Sequence, residues 1–266
     1  MVYLKLSIAC TILIIIFSCS KKEPEVKNIN KISQELEMTI AYNEGYEKLK
    51  INETYTAAQK FLEAELLFPQ SSWAPKSALM AAYSYYVQDY YGDAILELER
   101  FIKLYSNYKN IDYAYYLLGV SYYEQIVDEK KDLESIVNAK STFNILINNF
   151  PNTEYSLDSE FKLDLINDIL AAKEMYIGRY YIDKKKWISA INRFRTVVDQ
   201  YSTTIYIEEA LHRLVETYYL IGLKNEAEKY AKLLGYNFQS SEWYEVTYSL
   251  FDDKYVQNRK RKLEKC

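Results

Sequence analysis

The feature that most constrains this chain is a repeat: Gly45, Ala82 and Gly119 are spaced by 37 residues, as are Gly178 and Val215. Twelve residues beyond four of these five positions stand Ala57, Ala94, Ala190 and Ala227. A fixed period of this length means one supersecondary unit used several times, each copy burying part of its apolar surface on the next. Small residues at facing positions let two antiparallel helices approach closely, and larger residues fill the groove between successive pairs. Six glycines and four prolines are too few for a sheet with many tight turns. The chain is therefore expected to be all-α.

The residues that travel with the period resemble the tetratricopeptide pattern. The first unit has Gly45, Ala57, Phe61, Ala64 and Pro69; the third has Tyr115, Leu118, Gly119, Tyr122, Ala139, Phe143 and Pro151; the fourth has Gly178, Tyr181, Ala190 and Phe194. The second, with Tyr85, Ala94 and Leu98, and the fifth, with Leu211, Tyr218, Ala227 and Ala231, fit more loosely. The expected architecture is a superhelix of five such helix pairs, an α-solenoid. Between Gly119 and Gly178 the spacing is 59, which exceeds the period by 22. Eight of the extra residues fall around the charged stretch 128–132 and fourteen between Pro151 and Gly178. Fourteen residues make about four turns at roughly 3.6 per turn, so they lengthen a helix without rotating its apolar face. One elongated helix from Tyr155 to Ile182 is predicted between the third and fourth pairs.

The amino terminus reads as an address. Lys5 precedes an apolar run from Leu6 to Phe17, which as a helix would reach roughly 18 Å and so fall short of a bilayer core. Ile16-Phe17-Ser18-Cys19 resembles the bacterial lipobox, which implies that the Cys19 thiol receives a diacylglycerol before cleavage. With Ser20 and no Asp after the cysteine, that pattern implies the outer membrane. Residues 1–18 are thus expected to be a signal peptide, 19–35 a lipid-anchored tether, 36–250 the repeats, with halves of about 36–151 and 152–250, and 251–266 a basic tail. Apart from the covalent lipid no cofactor is expected. Cys10, Cys19 and Cys266 provide neither a disulfide framework nor metal-ligand spacing.

Further segments carry a family resemblance. Pro69 with Ser71-Ser72-Trp73, Arg100-Phe101-Ile102-Lys103-Leu104, Ile111-Asp112-Tyr113 with Tyr116 and Gly119, Pro151-Asn152-Thr153 with Tyr155 and Asp158, Trp187 with Asn192-Arg193, and Ser241-Glu242-Trp243-Tyr244 are similar to the BamD (YfiO/ComL) family of outer-membrane-protein assembly lipoproteins. The resemblance implies a scaffold whose amino-terminal repeats receive unfolded outer-membrane β-barrel precursors. It also implies that the carboxyl-terminal repeats dock on a periplasmic domain of the barrel insertase BamA, alongside other assembly lipoproteins, through an arginine matching Arg193. Tyr105 to Tyr108 stand where the family often has prolines, a departure that touches accessory partners.

In tetratricopeptide superhelices the first helix of each pair lines the concave face. Here that gives Tyr42, Tyr46 and Leu49, then Lys76, Leu79, Tyr83 and Tyr86, then Tyr113, Tyr116, Val120 and Tyr123. Tyrosine holds seven of these eleven positions, far above its share of 29 residues in 266. Tyrosine offers apolar area and a hydroxyl at low rotamer cost, which suits an extended peptide ligand; the same rings could also pack between helices. The fourth pair has Ala172, Met175, Arg179 and Ile182 instead, so the tyrosine lining stops there. Catalysis finds no support: His212 is the single histidine, with no nucleophile motif or phosphate loop beside it. A net charge of −4 offers no footprint for nucleic acid. The rival to an assembly factor is a structural lipoprotein that scaffolds other envelope or peptidoglycan machinery.

Overall fold

The computed structural model describes residues 26–126 and 133–251. Cys19 and the tether up to residue 25, the 128–132 stretch, the basic tail after residue 251 and Cys266 lie outside these. The described residues form eleven α-helices and no strand: α1 (Val26–Lys50), α2 (Thr54–Leu67), α3 (Trp73–Val87), α4 (Tyr91–Leu104), α5 (Ile111–Glu124), α6 (Leu133–Asn149), α7 (Glu154–Asp183), α8 (Trp187–Gln200), α9 (Ile207–Leu220), α10 (Lys224–Asn237) and α11 (Glu242–Ser249). The chain is all-α, with five helix pairs followed by one short helix. It divides into two compact units, one ending at Ser84 and one starting at Tyr85. In the first, α1 packs on α2. In the second, α5 packs on α6, α7 on α8 and α9 on α10, while α4–α5, α6–α7 and α8–α9 contacts join successive pairs.

The repeating small residues mark where an aromatic ring lies against a helix backbone. A Cβ on Gly45 would stand 3.0 Å from the Phe61 ring, one on Gly119 2.5 Å from Phe143 and one on Gly178 2.4 Å from Phe194. All three phenylalanines are fully buried, as are the recurring Ala57, Ala94, Ala190 and Ala227. The period therefore records the closest approach of the two helices in a pair.

It also extends to the turns. Asn52, Asp89, Lys185 and Gly222 adopt left-handed backbone, with φ of 64°, 63°, 56° and 83°. Each lies between the first and second helix of its pair and closes the same two hydrogen bonds; at Lys185 these are Lys185 N to Ile182 O and Lys186 N to Tyr181 O. This is the Schellman arrangement, which satisfies the last carbonyls of the first helix and reverses the chain.

The elongated helix is α7, 30 residues long. Its start is capped by Thr153, whose side chain accepts from Ser156 N at 3.2 Å. Ile166 and Leu170 join the core of the third pair, with Val120, Ile136, Ala139 and Phe143. Ala171 and Met175 join the next core, with Ala190, Phe194, Val197 and Leu214. The inserted four turns thus give α7 a first half packed on the preceding pair and a second half packed on its own partner. At the carboxyl end α11 packs on α9 and α10.

The division at 84/85 does not coincide with the expected halves of about 36–151 and 152–250, and the start of the repeats also differs from the sequence expectation. Helix α1 begins at Val26, well before residue 36 where the repeats were expected to start. The tether reading rested on polarity, yet the helix already runs through residues 26–35, and Ile32 within them starts a row at helical spacing that Leu36 and Ile40 continue, on a face other than the core-facing one.

Candidate functional site

In the first unit the expected peptide-binding tyrosines have different fates. Tyr42 is a core residue: only 8% exposed, it packs edge-on against Phe61 at 5.1 Å and Trp73 at 5.0 Å. Lys76 lies over both Tyr42 and Trp73, at 4.8 and 4.5 Å. The sequence pattern placed Tyr42 on the groove side, but Trp73 closes over it. Tyr46 is exposed, with Lys50 4.5 Å above its ring. Tyr83 is half-buried on α3.

In the second unit Tyr113, Tyr116 and Tyr123 share one face of α5 and are half-buried. The rings of Tyr86, Tyr116 and Tyr123 pack on the edge of the third-pair core. Tyr86 lies 5.7 Å from Tyr91, whose hydroxyl donates to Asp89 at 2.7 Å. The first turns of α7 complete this aromatic face. Tyr155 stands 5.3 Å from Tyr113 and 5.2 Å from Tyr116. The Tyr116 hydroxyl donates to Asp158 Oδ2 at 2.8 Å, and Lys162 lies 5.4 Å over Tyr123. Burial, and next the Asp158 hydrogen bond, push the Tyr116 phenol well above its usual range. The phenol therefore stays a neutral donor. Sequence reasoning gave Tyr155, Asp158 and Lys162 no site role, although their spacing of three and four residues already put them on one side of a helix.

Arg193, on α8, meets the carboxylate of Glu174 on α7: Nη1 donates to Oε1 at 3.2 Å and to Oε2 at 3.1 Å. The Arg193 side chain is 41% exposed and Glu174 17%. The remaining guanidinium nitrogens have no acceptor among the described residues. Arg193 also lines a pocket of 350 Å³ with Tyr181, Ser189, Asn192 and Thr196. A planar fork held on one side by Glu174 can grip a second carboxylate on the other. Arg179, expected on the groove, instead clamps Glu209 of α9 with bonds of 2.8 and 2.9 Å.

His212 is buried. Its Nδ1 lies 2.8 Å from Thr247 Oγ1, and its ring lies 5.1 Å from Trp243. Both partners belong to α11, so the histidine holds the last helix in place. Burial lowers its pKa below the usual 6.5. Among the described residues there is no group of His, Cys, Asp and Glu able to hold a metal ion, and no helix long and apolar enough to cross a membrane.

Fold and surface together define a helix-pair repeat scaffold that offers aromatic faces and one half-engaged arginine. The chain belongs to the YfiO family of outer membrane lipoproteins, whose model matches residues 34–233. It is 44% identical over 209 residues to the outer membrane protein assembly factor BamD of Rickettsia prowazekii, covering 79% of this chain and 83% of that one. The BamD of Caulobacter vibrioides is 38% identical over 229 residues, 86% of this chain and 75% of that one. That of Neisseria meningitidis is 31% identical over 222 residues, 79% and 83% of the two chains.

Proposed function

We propose that this chain is a non-catalytic lipoprotein subunit of an outer-membrane β-barrel assembly machinery, held on the periplasmic face of the outer membrane by lipid on Cys19. The observation that carries the reading is the 44% identity, over most of both chains, to a protein named as an outer membrane protein assembly factor. Its tyrosine faces receive aromatic, extended segments of unfolded barrel precursors. Tyr46 and Tyr83 serve in the first unit and Tyr86, Tyr113, Tyr116 and Tyr123 in the second, supported by Tyr155. Half-buried rings suit this work: the buried edge fixes the rotamer, so little conformational entropy is lost on binding.

Arg193 engages a carboxylate of a BamA-type insertase through the nitrogens that Glu174 leaves open. No nucleotide chemistry is required, because a preformed repeat scaffold binds extended partners at little ordering cost to itself and the client's own folding supplies the free energy. Depletion of the protein in its host tests the reading. Outer-membrane barrel levels are expected to fall while lipoprotein export continues; unchanged barrel levels would overturn the assembly role in favour of an envelope scaffold.

A further inference from the structure

Helix α1 is 25 residues long and its partner α2 only 14, roughly 37 Å against 21 Å. Every residue from Ile32 to Glu37 is exposed, so this part of α1 has no packing partner among the described residues. Helical segments in proteins draw most of their stability from an apolar face packed on something else. Such a face exists here. Ile32, Leu36 and Ile40 are 66%, 61% and 49% exposed. At four-residue spacing they fall within about 80° of one another around the helix, opposite the buried Met38, Ala41 and Tyr42. Helix α1 is apolar on two opposite faces, and only one of them is spent on the core.

Three features point to what covers the other. The stripe is purely aliphatic and lacks the aromatic and arginine anchors typical of protein interfaces. A polar neighbour on its border is already satisfied: the Thr39 hydroxyl donates to Glu35 O at 2.7 Å, and so can approach an apolar medium without an unpaired group. The stripe also lies close in sequence to the lipobox cysteine. Val26 is seven positions after Cys19, a reach of at most about 25 Å even if fully extended. The opposite end of α1 differs. The pocket of 500 Å³ that Ile40 and Ile51 line there is rimmed by Glu44, Glu47, Lys48 and Lys60, so beyond Ile40 the face turns charged.

We propose that the Ile32–Leu36–Ile40 face of α1 lies on the lipid surface to which the chain is tethered, so that the membrane covers it and fixes the orientation of the first helix pair. The inference rests on the reading of Cys19 as lipidated. The acyl chains supply the affinity; the stripe, entering the headgroup boundary as interfacial helices do, supplies the direction.

The test uses the full chain made in a lipidating bacterium and reconstituted in phosphatidylethanolamine/phosphatidylglycerol vesicles, with Cys266→Ser to leave one reactive thiol. An environment-sensitive fluorophore on Leu36→Cys is expected to shift to the blue and to lose emission when the vesicles carry acyl-brominated lipid, at low and high salt alike. The same probe on Glu63→Cys of α2 is expected to do neither. Ile32→Asn with Ile40→Asn is expected to abolish the shift while the protein still floats with the vesicles. A floating, acylated chain whose Leu36→Cys probe stays solvent-like and unquenched overturns the proposal, as it would if a protein were the occupant. A mature chain whose mass lacks the lipid and which does not float overturns the anchor, and the proposal with it, as a separate and recognisable failure.

Discussion

A Cβ added to Gly178 would lie 2.4 Å from Cε1 of Phe194, nearer than side-chain carbons approach in folded proteins. Gly178→Ala is therefore expected to force the fully buried ring or the helix apart and to cost about 2 kcal/mol of stability. Phe194→Leu in the same chain should recover part of that loss, because the two substitutions act on one contact. Gly92→Ala is the control: a Cβ there meets nothing within 4 Å, and a gain of up to about 0.5 kcal/mol is expected from the lost flexibility of the unfolded chain. Denaturant unfolding of the four chains measures all of these.

Lys185 takes the turn position that Gly222 occupies 37 residues later, at φ of 56°. A side chain there costs on the order of 1 kcal/mol. Lys185→Gly is expected to stabilise the protein by roughly 0.5 kcal/mol once the glycine's extra unfolded-state entropy is deducted, and Gly222→Ala to destabilise it by about 1 kcal/mol. Opposite shifts in thermal midpoint are the readout.

His212 gives the stability a pH dependence. Burial holds its folded pKa below 6.5, so in acid the unfolded chain binds a proton that the folded chain resists. The contribution is complete above pH 6.5 and is lost as the pH falls from there toward the lower folded value. Unfolding free energies of the wild type and His212→Gln, measured from pH 7.5 to pH 5, should diverge most at neutral pH and converge in acid. A pH-independent difference would contradict this.

At Arg193 the partly exposed pair with Glu174 is worth little to the fold, so Arg193→Lys is expected to change stability by less than about 1 kcal/mol. Its effect on the partner should be larger, because an ammonium cannot hold Glu174 and a second carboxylate in one plane. Co-purification of the BamA-type partner should fall in Arg193→Lys and hold in Glu174→Gln, which leaves the guanidinium in place.

Much of the fold was legible because its rule is local: a glycine followed sixteen residues later by phenylalanine, as in Gly45 and Phe61 or Gly178 and Phe194, is a helix-to-helix contact written into the chain. The fourteen inserted residues were readable for the same reason, since four whole turns keep Ile166 and Met175 facing the core. The site was less legible. Tyr42 looks like its neighbours in a repeat pattern, and only the position of Trp73, from another helix, buries it. Tyr155 and Asp158 join the α5 tyrosines through the approach of α7, which no repeat consensus encodes. The start of α1 was hidden because its two apolar faces cancel the one-sided pattern that marks an ordinary surface helix.

Site-specific photocrosslinking in living cells, from Tyr83 in one chain and Arg193 in another, separates the client-binding face from the insertase-binding face. Unfolded barrel precursors are expected at position 83 and the insertase at position 193. The same partner trapped at both positions, or no barrel precursor at 83, would contradict this division.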